Sequence, residues 1–140
     1  MAFFGTIDED MTASAYPYSI DDRTGVITVK LSGTVPGQRI AATIAAIYGD
    51  PTCGHCFDIL WDGSTITELM FERDDLPSFV RLNQQYAALA QSGRDVILVA
   101  RALDKAMANI YASMMKPQRR QVHVCSSMDE VSRILGARPS

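Results

Sequence analysis

The sequence predicts one α/β domain: a mixed β-sheet that opens with an antiparallel hairpin and continues with parallel strands joined by crossover helices, in the order β-β-α-β-α-β-α-β-α. Three observations predict it. Two short runs rich in β-formers, residues 16–20 and 26–31, flank the turn sequence Asp21-Asp22-Arg23-Thr24-Gly25. Beyond them, short apolar runs at 57–62 and 96–100 alternate with segments whose apolar residues recur at helical spacing. The length of 140 residues, 47% hydrophobic and 21% charged, is that of a single domain able to bury its own core.

The first strand, 16–20, carries Pro17 near its start, where a missing donor is tolerated. In the second, 26–31, Ile27, Val29 and Leu31 share one face, and Gly33, Pro36 and Gly37 then mark 32–37 as a loop. A helix over 38–48 lines up Ile40, Ile44, Ile47 and Tyr48, and Gly49-Asp50-Pro51 stops it. The strand at 57–62 has almost no polar face, which suits a central strand covered on both sides, although Asp58 interrupts it. Residues 63–73 read as a long loop. Asp74 or Asp75 supplies an N-cap and Pro77 suits a first turn; Leu76, Phe79, Val80, Tyr86, Leu89 and Ala90 then form a stripe up to Gly93. The apolar strand 96–100 leads to a helix carrying Leu103, Ala106, Met107, Ile110, Tyr111 and Met114 before Pro117. A last strand, 121–125, precedes Ser127-Met128-Asp129-Glu130, a capping-box sequence that opens a helix ending at Gly136. The domain therefore spans 16–136, with 1–15 a loose N-terminal arm and 137–140 a short tail.

Charge and cysteine usage narrow the function. The net charge of −3 divides into twelve acids against four bases in residues 1–75, and four against nine in 76–140. The densest basic stretch, Lys116, Arg119 and Arg120, follows a helix end, where cations suit the dipole, and lacks interleaved aromatics. Nucleic-acid binding is not expected. No window is long and apolar enough for a membrane span, so membrane insertion is not expected either. The first residues hold Asp8, Glu9 and Asp10 without a basic start, unlike a secretory signal, and three cysteines cannot all pair within one chain. Both point to the cytoplasm.

The element order resembles the STAS family, named for sulfate transporters and anti-sigma-factor antagonists, in its SpoIIAA-like, STAS/SEC14-type branch of small bacterial proteins. The resemblance lies in Tyr18-x-Ile20-Asp21 running into Gly25-Val26-Ile27-Thr28-Val29, in Phe57-Asp58-Ile59-Leu60-Trp61-Asp62, and in the strand at 96–99 with its Met-rich helix, together covering about 16–136. It implies a STAS-like, non-enzymatic domain that acts in regulation through protein contact. Anti-sigma antagonists carry a phosphorylatable serine in a D-S-S-G-L-type sequence. Here Arg73-Asp74-Asp75-Leu76-Pro77 looks like the corresponding stretch, with no hydroxyl before Leu76 and only Ser78 nearby. An acidic N-cap accounts for Asp74 and Asp75 more simply than mimicry of a phosphate.

Four residue groups bear on chemistry. Cys53-Gly54-His55-Cys56 has the letters of a disulfide-isomerase motif, but Cys53 follows a helix stop and Cys56 enters a strand, so no helix N-terminus lowers a thiol pKa. As a zinc half-site, Cys53 and Cys56 would need a second pair of ligands, and Cys125 and His123 fall toward another part of the sheet. No metal or other cofactor is expected. Parallel sheets bind ligands beyond the carboxyl ends of their strands. That rule gathers Asp62, Gly63, Ser64, Arg101, Asp104, Ser126 and Ser127; among them Asp62, Ser64, Arg101 and Asp104 are candidate contacts for a polar ligand, or simply turn formers and solvated charge. Met107, Tyr111, Met114 and Met115, with Phe79, could line an adaptable apolar pocket or a homodimer interface, or be ordinary core. No catalytic set emerges. The leading expectation is a protein-interaction domain that self-associates as a homo-oligomer. The alternative is a carrier or sensor of a small apolar ligand or lipid, and a thiol or metal site at Cys53 and Cys56 comes third.

Overall fold

In a computed structural model, which describes residues 15–53, 58–86, 93–118 and 120–136, the chain forms one five-stranded sheet. Strands β1 (Tyr18–Asp21) and β2 (Val26–Pro36) pair antiparallel, and β3 (Asp58–Met70), β4 (Arg94–Val99) and β5 (Gln121–Cys125) add on in parallel. The helices are α1 (Gly37–Tyr48), α2 (Leu76–Gln85), α3 (Ala102–Met115) and α4 (Met128–Gly136), with a 3₁₀ turn at Arg73–Asp75 before α2. The expected fold class and element order are both present. The tails at 1–14 and 137–140, together with the 87–92 end of the predicted second helix, lie outside the described residues.

The hairpin forms where the turn chemistry requires it. Gly25, at φ +73°, donates its N–H to the Asp21 carbonyl at 2.7 Å, while the Asp21 carboxylate accepts the N–H of Arg23 at 3.0 Å. Strand order then follows chain order without interruption, β1 to β5. Right-handed crossovers that always step to the next strand in one direction must pass over one face of the sheet each time. So α1, α2 and α3 all lie on that face, where Ile27, Val29, Leu31, Ile59 and Trp61 pack against Ile44 and Ile47 of α1. Only α4 covers the other face, setting Val131 on Leu60, Val96, Leu98 and Cys125. Beyond its reach that face is polar, and there Lys30 pairs with Asp62 at 3.7 Å.

Two segments expected to be loops are strand. β2 continues through Ser32 and Gly33 to Pro36, and β3 through Gly63 to Met70, because the two extensions pair with each other. Their register shifts twice, with β3 carrying one extra residue each time. Each bulge reverses which face a given residue meets. Trp61 and Ile66 therefore both face the core although five residues apart, and the alternation that marks a strand disappears from the sequence. Gly33 sits in this stretch at φ +66°, a backbone that other residues enter only with strain.

At the amino ends of the parallel strands two ion pairs repeat one arrangement. Asp58, opening β3, receives Nη2 of Arg94 at 2.9 Å and the Arg94 main-chain N–H at 2.9 Å. Asp95, at the start of β4, receives Nε of Arg120 at 2.9 Å and the indole N–H of Trp61 at 3.1 Å. Both pairs are nearly excluded from solvent, where an unpaired charge would be costly.

Candidate functional site

A cavity of about 100 Å³ separates the helical layer from the sheet. Its floor is Trp61, Ile66, Ile97 and Val99, and its roof comes from Ile44 of α1, Phe79 of α2 and Met107 of α3. Space remains because α3 turns its smallest buried side chain, Ala108, toward it. The Phe71 ring helps wall the cavity and meets Phe79 edge-on, with centroids 5.4 Å apart. The lining is almost wholly hydrocarbon, so water gains few hydrogen bonds inside.

Five residues bring polar atoms to this lining: Tyr48, Asn83, Asp95, Asp104 and Tyr111. Four of them are tied together or to the sheet. The Tyr48 hydroxyl donates to Oδ1 of Asn83 at 3.3 Å, and Nδ2 of Asn83 donates to the Tyr111 hydroxyl and the Phe79 carbonyl, both at 2.9 Å. Burial raises the pKa of both tyrosines, so each stays neutral. Asp95 is held by Trp61 and Arg120 as described. Asp104 differs. It is 2% exposed, and neither carboxylate oxygen has a hydrogen-bond donor among the described residues. Nε of Arg101 lies 3.5 Å from Oδ2, an ion pair without a hydrogen bond. Burial raises the Asp104 pKa, and the Arg101 charge opposes that rise.

The four residues expected to bind a polar ligand separate into two pairs. Asp62 and Ser64 lie at the first bulge of β3. There Asp62 accepts the Ser64 hydroxyl at 2.7 Å and its N–H at 3.1 Å, and its salt bridge to Lys30 lies on the face opposite the cavity. Burial alone would raise the Asp62 pKa, but Ser64 and Lys30 outweigh it and hold the carboxyl low. This pair shapes a turn. Arg101 and Asp104 lie on the other side, where Asp104 reaches the cavity. Ser127 accepts the Glu130 N–H at 3.3 Å and Glu130 accepts that of Ser126 at 2.7 Å, so both serines cap α4.

The proposed apolar set also divides. Met107, Tyr111 and Phe79 line the cavity, whereas Met114 and Met115 do not. Met115 is 1% exposed and belongs to the core, because the buried stripe of α3 runs through Asp104, Ala108 and Met115. Leu103, expected on that stripe, is 64% exposed. At the expected thiol site, Cys53 is half-buried and burial pushes its pKa up, as it does for Cys125, so neither is an activated thiolate. His55 and Cys56 lie outside the described residues, among which no three His, Cys, Asp or Glu side chains gather as metal ligands.

Several lining residues were not expected. Asn83 had a readable signal, a polar side chain on the otherwise apolar stripe through Leu76 and Phe79. Ile66 and Leu69 had none, since the bulges of β3 erase their periodicity.

Compared with known proteins, the fold is similar to a crystal structure of an uncharacterised DUF3478-family protein with a SpoIIAA-like fold from Shewanella loihica. The TM-score is 0.55 at 9% sequence identity, over 86% of this chain and 92% of that one. No protein-family model and no curated protein matches the sequence. The chain has a SpoIIAA-like fold.

Proposed function

We propose that this SpoIIAA-like domain is a non-catalytic binder of a small apolar molecule, a carrier or a sensor, with its site between the sheet and the α1–α3 layer. The cavity under α3 is the observation that carries the reading. Interiors are otherwise packed nearly as densely as organic crystals, and a void of this size forfeits contacts on every wall. Apolar cavities of about 150 Å³ stay dry and admit benzene. A space of about 100 Å³ bordered by the flexible Met107 suits one small ring or short chain better than a long acyl chain. The polar side chains give no nucleophile–base pair: the tyrosines are neutral and bonded to Asn83, and Asp95 is occupied by Arg120.

The test is an NMR titration with anisole, an eight-atom ring compound, on the wild type and on Ala108→Leu. The variant fills the space with three added carbons. We expect saturable shifts in Ile97, Met107 and Tyr111 of the wild type, and their loss in a variant at least as stable to urea. Saturation that survives Ala108→Leu, or none in the wild type, counts against the reading. A native mass spectrum of freshly purified protein would show any retained ligand and the subunit count together.

A further inference from the structure

We infer that the occupant of this cavity carries a hydrogen-bond donor, an O–H or N–H group on a small apolar body, and that Asp104 receives it. The inference rests on the cavity being a ligand site, and adds which chemistry the site selects. The argument runs through the polar groups of the lining. Tyr48, Asn83 and Tyr111 form one bonded chain, and the Asp95 carboxylate takes donors from Trp61 and Arg120. Asp104 has two oxygens, both buried and both without a donor. Buried carboxylates ordinarily collect several donors, because an unmet acceptor loses its hydration without return. Arg101 balances the charge at 3.5 Å but does not fill a lone pair, and its own side chain is 36% exposed.

Position agrees with the chemistry. Asp104 lies in the first turn of α3, just past the carboxyl end of β4, while Tyr111 lies two turns farther on, about 10 Å along the helix axis. The bonded Tyr–Asn cluster therefore closes one end of the cavity and the unmet carboxylate marks the other. The carboxyl edge of a parallel sheet is also where ligands usually enter. An ionised carboxylate only accepts hydrogen bonds, so an acceptor-only ligand gains nothing from it. An anionic ligand would face Asp104 and Asp95 together, and fatty acids or aromatic acids are excluded on that ground.

The test compares benzyl alcohol with anisole, which has the same number of heavy atoms but no donor, by NMR titration at neutral pH. Sodium benzoate serves as the anionic control. We expect the wild type to bind benzyl alcohol about tenfold more tightly than anisole, the scale of one hydrogen bond to a charged acceptor, and to ignore benzoate. In Asp104→Leu the preference should fall to within about twofold while anisole binding holds or strengthens; Asp104→Asn should fall between. Far-UV circular dichroism verifies that each variant is folded. Equal binding of the two neutral probes by the wild type would overturn the inference and leave the cavity reading standing. So would a preference that persists in folded Asp104→Leu, or tight binding of benzoate. Failure of all three probes to bind folded wild type would overturn the cavity reading, and this inference with it.

Discussion

Asp104 is the residue that works against stability. Burial makes its carboxyl hold a proton more tightly in the folded chain than in the unfolded one. A group with a folded pKa above its ordinary 3.8 costs no stability well below that value. Its cost develops as pH rises through the interval between 3.8 and the raised folded value. Replacing it with leucine removes two unmet acceptors and adds apolar contact. At neutral pH we expect Asp104→Leu to gain about 1–2 kcal/mol over the wild type, with the advantage shrinking as the medium is acidified toward about pH 3. Urea titrations at the two pH values measure this; a constant difference would mean that the leucine acts by packing alone. Tyr18 illustrates the opposite case. Its hydroxyl is hydrogen-bonded to Asp50 at 2.7 Å, which pushes the phenol up to about 12 and holds the carboxyl low. That bond ties the hairpin to the end of α1 throughout the neutral range.

At the scale of elements, the long β2–β3 ladder depends on two glycines for different reasons. A Cβ at Gly63 would lie 2.7 Å from Ile66 Cδ1 and 3.0 Å from the Leu98 carbonyl oxygen, so alanine there has to force β3 and β4 apart. At Gly33 nothing lies within 4 Å, and only the positive φ resists a side chain. We expect Gly63→Ala to cost about 2–3 kcal/mol and Gly33→Ala about 1 kcal/mol, with Gly33→Asn milder than Gly33→Ala because asparagine tolerates the left-handed region. Denaturant melts of the three variants distinguish crowding from backbone strain. The same ladder explains what could be read in advance. Every helix was visible as a stripe, and β4 as an uninterrupted apolar run, since α2, α3 and α4 bury one face each. The ladder beyond Asp62 was hidden, because two bulges scramble its alternation and its glycines imitate a loop. The site was half visible for a related reason. Met107, Tyr111 and Phe79 announce themselves by helical spacing, and Asp104 by its place past a strand end. That Asp62 and Ser64 belong to another face follows only from the pairing of β3.

Across the whole molecule, strand order copies chain order, and each ion pair joins the start of one parallel strand to the residue entering or preceding the next. Arg120→Met should leave Asp95 charged and buried with only the indole N–H of Trp61, at a cost of about 3–5 kcal/mol. Adding Asp95→Asn to that variant should recover a substantial part of the loss, as a double-mutant cycle of unfolding free energies would show. A further consequence concerns the birth of the molecule on the ribosome. A chain whose sheet grows in one direction can assemble as it is made, because every new strand finds its neighbour already exposed. Asp58 waits 36 residues for Arg94, and Asp95 waits 25 for Arg120, so each arginine arrives to latch the strand laid down before it. Only α4 must travel to the opposite face, and it comes last. A nascent chain arrested after β4 would thus carry the Asp58–Arg94 latch and an open one at Asp95, with Leu60, Val96 and Leu98 still uncovered.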